Sequence, residues 1–145
     1  MQPGRPSTLL KPTLDTKFHI DYDWWERSNN DLRAYLLTHL TPEKRDQIIA
    51  SADKQVIDYV DPNTGEVLQL DELGLAIQEA ADSEDFINSH ISLVDSVFRV
   101  FLRNGNTPLS PVELAEITGR DAQTILKTVG GLRVYQGIRP FELSL

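Results

Sequence analysis

Cysteine is absent from this 145-residue chain. That excludes disulfides, thiolate zinc sites and thiol catalysis together, and it fits a reducing cytosol. Long apolar runs are missing too. No stretch approaches the ~20 consecutive apolar residues that span a bilayer, and the opening MQPGRPSTLLKP lacks the apolar core of a secretory signal. The expectation is a cytoplasmic protein without a membrane segment. Histidine is scarce: His19, His39 and His90 lie far apart, and no two have the spacing that puts a pair of ligands on one helix face. His90, Ser92 and Asp95 are close in sequence, but nothing beside them suggests an oriented base or an oxyanion hole. No glycine-rich phosphate loop is present, since Gly130-Gly131 reads as a helix terminator. No metal, cofactor or catalysis is expected.

Basic charge is the other shortage. Lys and Arg number 14 against 22 Asp and Glu, a net charge of −8, which argues against a surface that is a nucleic-acid glove throughout. The deficit is uneven. Residues 1–98 carry 8 Lys and Arg against 18 Asp and Glu, a balance of −10, whereas residues 99–145 carry 6 against 4, a balance of +2. The apolar fraction of 40% suffices for a core, so the chain reads as folded, with one domain or two small ones.

Read in order, residues 1–16 hold three prolines and a glycine and suggest a flexible N-terminal arm or a segment laid along a neighbour. Lys17 to Asp21 alternates, with Phe18 and Ile20 on one side, and predicts a short strand. Asp21 and Asp23 suit the start of a helix. Trp24 and Trp25 cannot share one narrow helix face, so one is expected in the core and the other at a partner-binding surface or under the arm. A helix restarts after Ser28-Asn-Asn-Asp31, with Leu32, Tyr35, Leu36 and Leu40 in line. Thr41-Pro42-Glu43 caps the next, a surface helix to about Ala52 that buries Ile48 and Ile49. Residues 55–70 predict a hairpin, because Asp61-Pro-Asn-Thr-Gly65 separates two β-rich runs. Asp61, Asn63 and Glu66 are explained by turn chemistry rather than calcium binding, since glycine stands at the wrong place for a calcium loop. Asp71 caps a helix to about Ala81, and Asp82 to Asp85 form a polar joint. Residues 17–82 are thus expected as an α+β part and residues 86–145 as a second domain, the two able to pack as one unit. From Ser89, Leu93, Val94, Val97, Phe98, Phe101 and Leu102 mark a central helix contacted on two sides, ended by Asn104-Gly105-Asn106.

The chain's most informative stretch is Leu109 to Gly131. Ser110 can cap a helix, Pro111 suits its first turn, and Glu113 completes a capping box. Val112, Leu114, Ala115 and Ile117 are expected to form its buried face. Gly119 supplies a left-handed turn. Asp121 caps a second helix that buries Ala122, Ile125, Leu126 and Val129, spaced i, i+3, i+4, i+7. Beyond it, Leu132 to Tyr135 and Ile138 to Phe141 flank Gln136-Gly137 and predict a second hairpin, with Pro140 limiting its outer strand. The run Leu114-Ala115-Glu116-Ile117-Thr118-Gly119, followed by Thr124-Ile125, resembles the LA-x-x-x-G…TI core of bacterial helix-turn-helix and winged-helix regulators. Thr118, Arg120 and Thr128 stand where that family often carries an apolar residue. The resemblance covers the last third of the chain.

The fold expected is therefore α+β, mainly α: N-terminal helices with a small hairpin, then a three-helix winged-helix-like domain. The resemblance implies a non-catalytic protein that binds duplex DNA, as a transcriptional regulator or accessory factor. Residues 121–129 would enter the major groove, presenting Arg120, Gln123, Thr124, Lys127 and Thr128, with Arg133, Gln136 and Arg139 on the wing. Four or five phosphate contacts would give a log–log salt slope of about −4. The N-terminal part would dimerise or bind a protein partner through Trp24 and Trp25. The alternative is a protein–protein interaction module or small subunit of a larger complex, in which the winged helix binds protein; Glu113, Glu116 and the acidic charge favour it.

Overall fold

The computed structural model describes residues 11–51, 57–60, 65 and 67–142. Among them are seven helices and four short strands, so the chain is mainly α with a small β component. It divides into two compact units, one made of the described residues up to Asn30 together with those from Ile87 onward, the other of Asp31–Phe86.

In the second unit, Asp31 caps α2 (Leu32–Leu37) by accepting the amide of Ala34 at 3.0 Å. Thr41 caps α3 (Pro42–Ala50), which opens on Pro42. Proline fits there because the first amide of a helix has no intrahelical partner. Ile48 is buried, but Ile49 is 63% exposed, contrary to the expectation that both are buried. The two are consecutive on a helix and point about 100° apart, so only one can face inward. The strands β2 (Ile57–Val60) and β3 (Val67–Leu70) pair antiparallel, Ile57 opposite Leu70 and Val60 opposite Val67, giving the expected hairpin. Asp61, Asn63 and Glu66 lie outside the described residues. Asp71 caps α4 (Glu72–Ala81), which buries Leu73, Ala76, Ile77 and Ala81.

The first unit is assembled from both ends of the chain. Strand β1 (Phe18–Ile20) forms where alternation predicts it, with Phe18 and Ile20 buried. Asp21 caps α1 (Tyr22–Arg27). After residue 86 the chain reaches α5 (Leu93–Arg103), capped by Ser92 and burying Val97, Phe98, Val100, Phe101 and Leu102. Helices α6 (Pro111–Thr118) and α7 (Ala122–Val129) follow, and each of the three contacts the other two. Strand β4 (Ile138–Pro140) closes the unit.

Two expectations change here. Ile138–Pro140 was to pair with residues 132–135 as a hairpin; instead β4 pairs with β1, Phe18 opposite Pro140 and Ile20 opposite Ile138. Residues 132–135 contribute one bridge, Tyr135 to Ile138. The hydrogen-bonding capacity of β4 toward the core is taken by the N-terminal strand, whose two large apolar residues enter the same core. The other edge of β1 meets Leu109: the amide of Phe18 donates to its carbonyl at 2.8 Å and the reverse bond is 3.0 Å. Asn106 completes that edge, accepting the amide of Ile20 at 2.8 Å and donating to its carbonyl at 2.9 Å. The second change is the boundary. Residues 17–30 belong with residues 87–142 rather than with the rest of 17–82.

Candidate nucleic-acid interface

The α6–turn–α7 segment is built by caps that the sequence specifies residue by residue. The hydroxyl of Ser110 accepts the amide of Glu113 at 3.2 Å, and the Glu113 carboxylate accepts the amide of Ser110 at 2.9 Å. Glu113 also takes an ion pair from Lys17 on the segment leading into β1. The Lys17 hydrogen bond, followed by the Ser110 amide, holds the Glu113 carboxyl below its usual range. Gly119 ends α6 at φ +73°, where a side chain would be strained, and its amide donates to the Ala115 carbonyl. Asp121 then caps α7, accepting both the hydroxyl and the amide of Thr124 at 2.9 Å. These bonds, the hydroxyl first, lower the pKa of Asp121.

The buried faces are narrower than expected. On α6, Leu114 is fully buried, but Val112 is 40% and Ile117 49% exposed. Leu114 faces inward; Val112 lies about 160° round the helix from it and cannot share its stripe, while Ile117, about 60° away, stands at the edge of the buried face. On α7, Ile125 and Val129 are buried, while Ala122 and Leu126 are half-buried.

Of the residues expected to touch nucleic acid, Gln123, Thr124 and Lys127 are exposed on α7. The Thr124 hydroxyl is engaged in the cap. Thr128 is half-buried, and its hydroxyl donates to the Thr124 carbonyl at 2.8 Å. Thr118 does the same to Leu114 at 2.7 Å. At both positions the threonine hydroxyl is satisfied by the preceding turn, which lets the side chain sit part-buried on the helix. Arg133 is exposed, with its guanidinium carbon 4.8 Å from the centre of the Tyr135 ring. Gln136 is half-buried and stands in a tight turn at φ +54°, followed by Gly137 at φ +76°. The amide of Ile138 closes that turn on the Tyr135 carbonyl at 3.0 Å.

Two arginines are committed elsewhere. Arg120 turns inward, donating to the carbonyl of Ile91 and approaching the hydroxyl of the buried Ser96 at 3.4 Å. It ties the α6–α7 turn to the start of α5. Arg139, opposite His19 in the β1–β4 pair, donates to Asp21 at 3.0 Å, and Arg27 reaches the same carboxylate oxygen at 3.3 Å. Partial burial pushes the Asp21 pKa up, but the Arg27 hydrogen bond, the Trp24 amide and the charges of both arginines outweigh it, and the net shift is down. Burial lowers the pKa of His19, and Arg139 adds to that against the opposing charge of Asp21. Nothing in the sequence around either arginine signals these partners, which lie 29 and 118 residues away.

Trp25 is 4% exposed and packs edge-on against Phe98 at 6.3 Å, so it belongs to the core rather than to a partner-binding surface. Trp24 is half-exposed, 5.2 Å from Trp25. Around the remaining candidates for chemistry, Ser92 spends its hydroxyl accepting the Asp95 amide at 3.1 Å, and the His90 amide donates to Asn88. Among the described residues no group of three or more His, Asp or Glu converges as a metal site, and no helix is long and apolar enough to cross a membrane. No family model, curated protein or solved structure matches the chain.

Proposed function

We propose that the chain is a non-catalytic protein that binds duplex DNA through α7, acting as a regulator or accessory factor. One observation carries this reading. Gln123 and Lys127, one turn apart, are exposed on the side of α7 opposite the buried Ile125 and Val129. Residues two apart on a helix point about 200° apart, so burying one pair leaves the other fully presented. A short helix held by its back and offering an amide and an ammonium has the chemistry for a major groove. Gln123 suits an adenine edge, and Lys127 a guanine edge or a phosphate. Thr124 lies between them with its hydroxyl held by Asp121. Arg133 supplies a backbone contact, while Arg120 and Arg139 shape the surface from within.

Lys127 and Arg133 together contribute about two units to the log–log salt slope, at about 0.9 per phosphate. The slope of about −4 would require Arg120 and Arg139 to leave their internal partners. Fluorescence anisotropy with a mixed-sequence duplex at two salt concentrations tests the reading. Lys127→Glu abolishes binding, whereas retention of binding in that variant rules out α7 as the contact.

A second reading rests on a different observation. Val112 and Ile117 are exposed on α6 with Glu116 between them, and Leu132 stands fully exposed after α7. Together with the net charge of −8, this fits a protein partner rather than a polyanion. No duplex binding at low salt, together with a stoichiometric protein complex lost in Ile117→Asp, favours this reading over the first.

A further inference from the structure

The two stretches that bracket the first unit share a chemical peculiarity. Residues 1–14 contain no Asp or Glu and carry Arg5 and Lys11; residues 122–141 contain none and carry Lys127, Arg133 and Arg139. In a chain of net charge −8 such stretches are local reversals of sign. Among the described residues, the end of the first stretch approaches the second. The Cβ of Pro12 lies 3.5 Å from the position a Cβ would take on Gly130, the residue that ends α7. Lys11 is exposed beside it, and Lys127 occupies the last turn of α7. The path from there is held. Thr16 donates to the Thr13 carbonyl at 3.1 Å, Lys17 pairs with Glu113, and Phe18 is bonded to Leu109 on one side and paired with Pro140 on the other. The contact of Pro12 with Gly130 therefore sets the backbone of the adjacent Lys11 near the C-terminal end of α7. Asp15 is the first carboxylate of the segment.

We propose that the segment entering β1 is a second DNA contact, with Lys11 placing its ammonium on a phosphate that flanks the groove occupied by α7. This rests on the DNA-binding reading of α7 and extends it: the footprint runs past the end of the helix, and the N-terminal segment is part of the interface. The physical logic is counterion release. Each neutralised phosphate adds about 0.9 to the magnitude of the log–log salt slope. Lys11, Lys127 and Arg133 acting together give about −3, and the loss of Lys11 alone returns it to about −2.

The test is a salt titration of duplex binding, read by fluorescence anisotropy, on the full chain and three variants. Lys11→Ala reduces the magnitude of the slope by about one and weakens low-salt affinity several-fold. Lys44→Ala, in the other unit, makes the same change in net charge and leaves the slope as it is. Lys127→Glu loses binding. If Lys11→Ala matches the unaltered chain while Lys127→Glu loses binding, the segment is not a contact and the α7 reading stands alone. If Lys44→Ala lowers the slope as much as Lys11→Ala, the effect belongs to net charge and the proposal fails. If the unaltered chain binds no duplex at low salt, the α7 reading falls and this extension falls with it.

Discussion

Individual residues in the first unit are held by approaches that leave little room. At Gly137, φ is +76°, and a Cβ there would lie 2.8 Å from the indole nitrogen of Trp25 and 3.1 Å from the Asp21 carbonyl. Gly119 has a similar φ of +73° but open space around it. Alanine at Gly119 pays only the left-handed penalty, about 1 kcal/mol. Alanine at Gly137 adds a clash with a buried aromatic and costs about 2–4 kcal/mol. Denaturant unfolding of the two variants ranks them in that order. Asp21 is the other focus. It caps α1 and receives both Arg27 and Arg139. Its folded pKa is depressed, so its stabilising contribution is complete above the unfolded value of about 3.9 and is lost as pH falls through the lower folded value. Asp21→Asn therefore destabilises by about 1–2 kcal/mol at neutral pH. In thermal melts the gap from the unaltered chain narrows below about pH 4. The roles of Arg120 and Arg139 were not legible in the sequence. An arginine in a turn or on a short strand has the same sequence signature whether it faces solvent or a carbonyl or carboxylate contributed from far along the chain.

At the scale of elements, legibility followed range. The N-caps at Asp21, Asp31, Thr41, Asp71, Ser110 and Asp121, and the glycine stop at Gly119, were all readable because each depends on groups within about four residues. The capping box at Ser110 is the most specific of these. Ser110→Ala removes the acceptor for the Glu113 amide and costs about 1 kcal/mol, whereas Lys17→Ala, which breaks an exposed ion pair, costs under about 0.5 kcal/mol. Chemical denaturation separates the two. Strand pairing was readable only where a turn joins the partners, as in β2–β3. The strands β1 and β4 were each recognised, but a three-residue strand says nothing about which distant strand it pairs with, and the nearest candidate, residues 132–135, was the natural choice. Asn106 was read as a helix stop; its side chain is the clamp on Ile20. Asn106→Gly keeps the positive φ of 62° accessible and removes only the clamp. We expect a loss of about 1–3 kcal/mol, with faster amide exchange along β1.

For the whole molecule, the consequence is that the first unit is discontinuous in sequence. Phe18, Ile20 and Trp25 are supplied by the N-terminal segment to a core otherwise made by Phe98, Phe101, Leu114, Ile125 and Ile138. A fragment of residues 87–145 lacks those side chains and leaves the inner edge of β4 without its partner. It is expected to give poorly dispersed amide resonances, and a fragment of residues 1–30 added in trans is expected to restore dispersion; a well-dispersed spectrum from 87–145 alone would refute the shared core. Composition could not reveal this arrangement, because the divide at residue 86 coincides with a polar joint while the one at residue 30 sits among ordinary capping residues. The outward side of α7 is where the proposed duplex binding is decided. The direct measurement is a nitrogen–proton correlation spectrum of the full chain titrated with a short mixed-sequence duplex. Salt-dependent shifts concentrated at Gln123, Thr124 and Lys127, with Arg133 and Lys11 at their margin, are the expected result. An unchanged spectrum at low salt, or shifts confined to Val112 and Ile117, would contradict it.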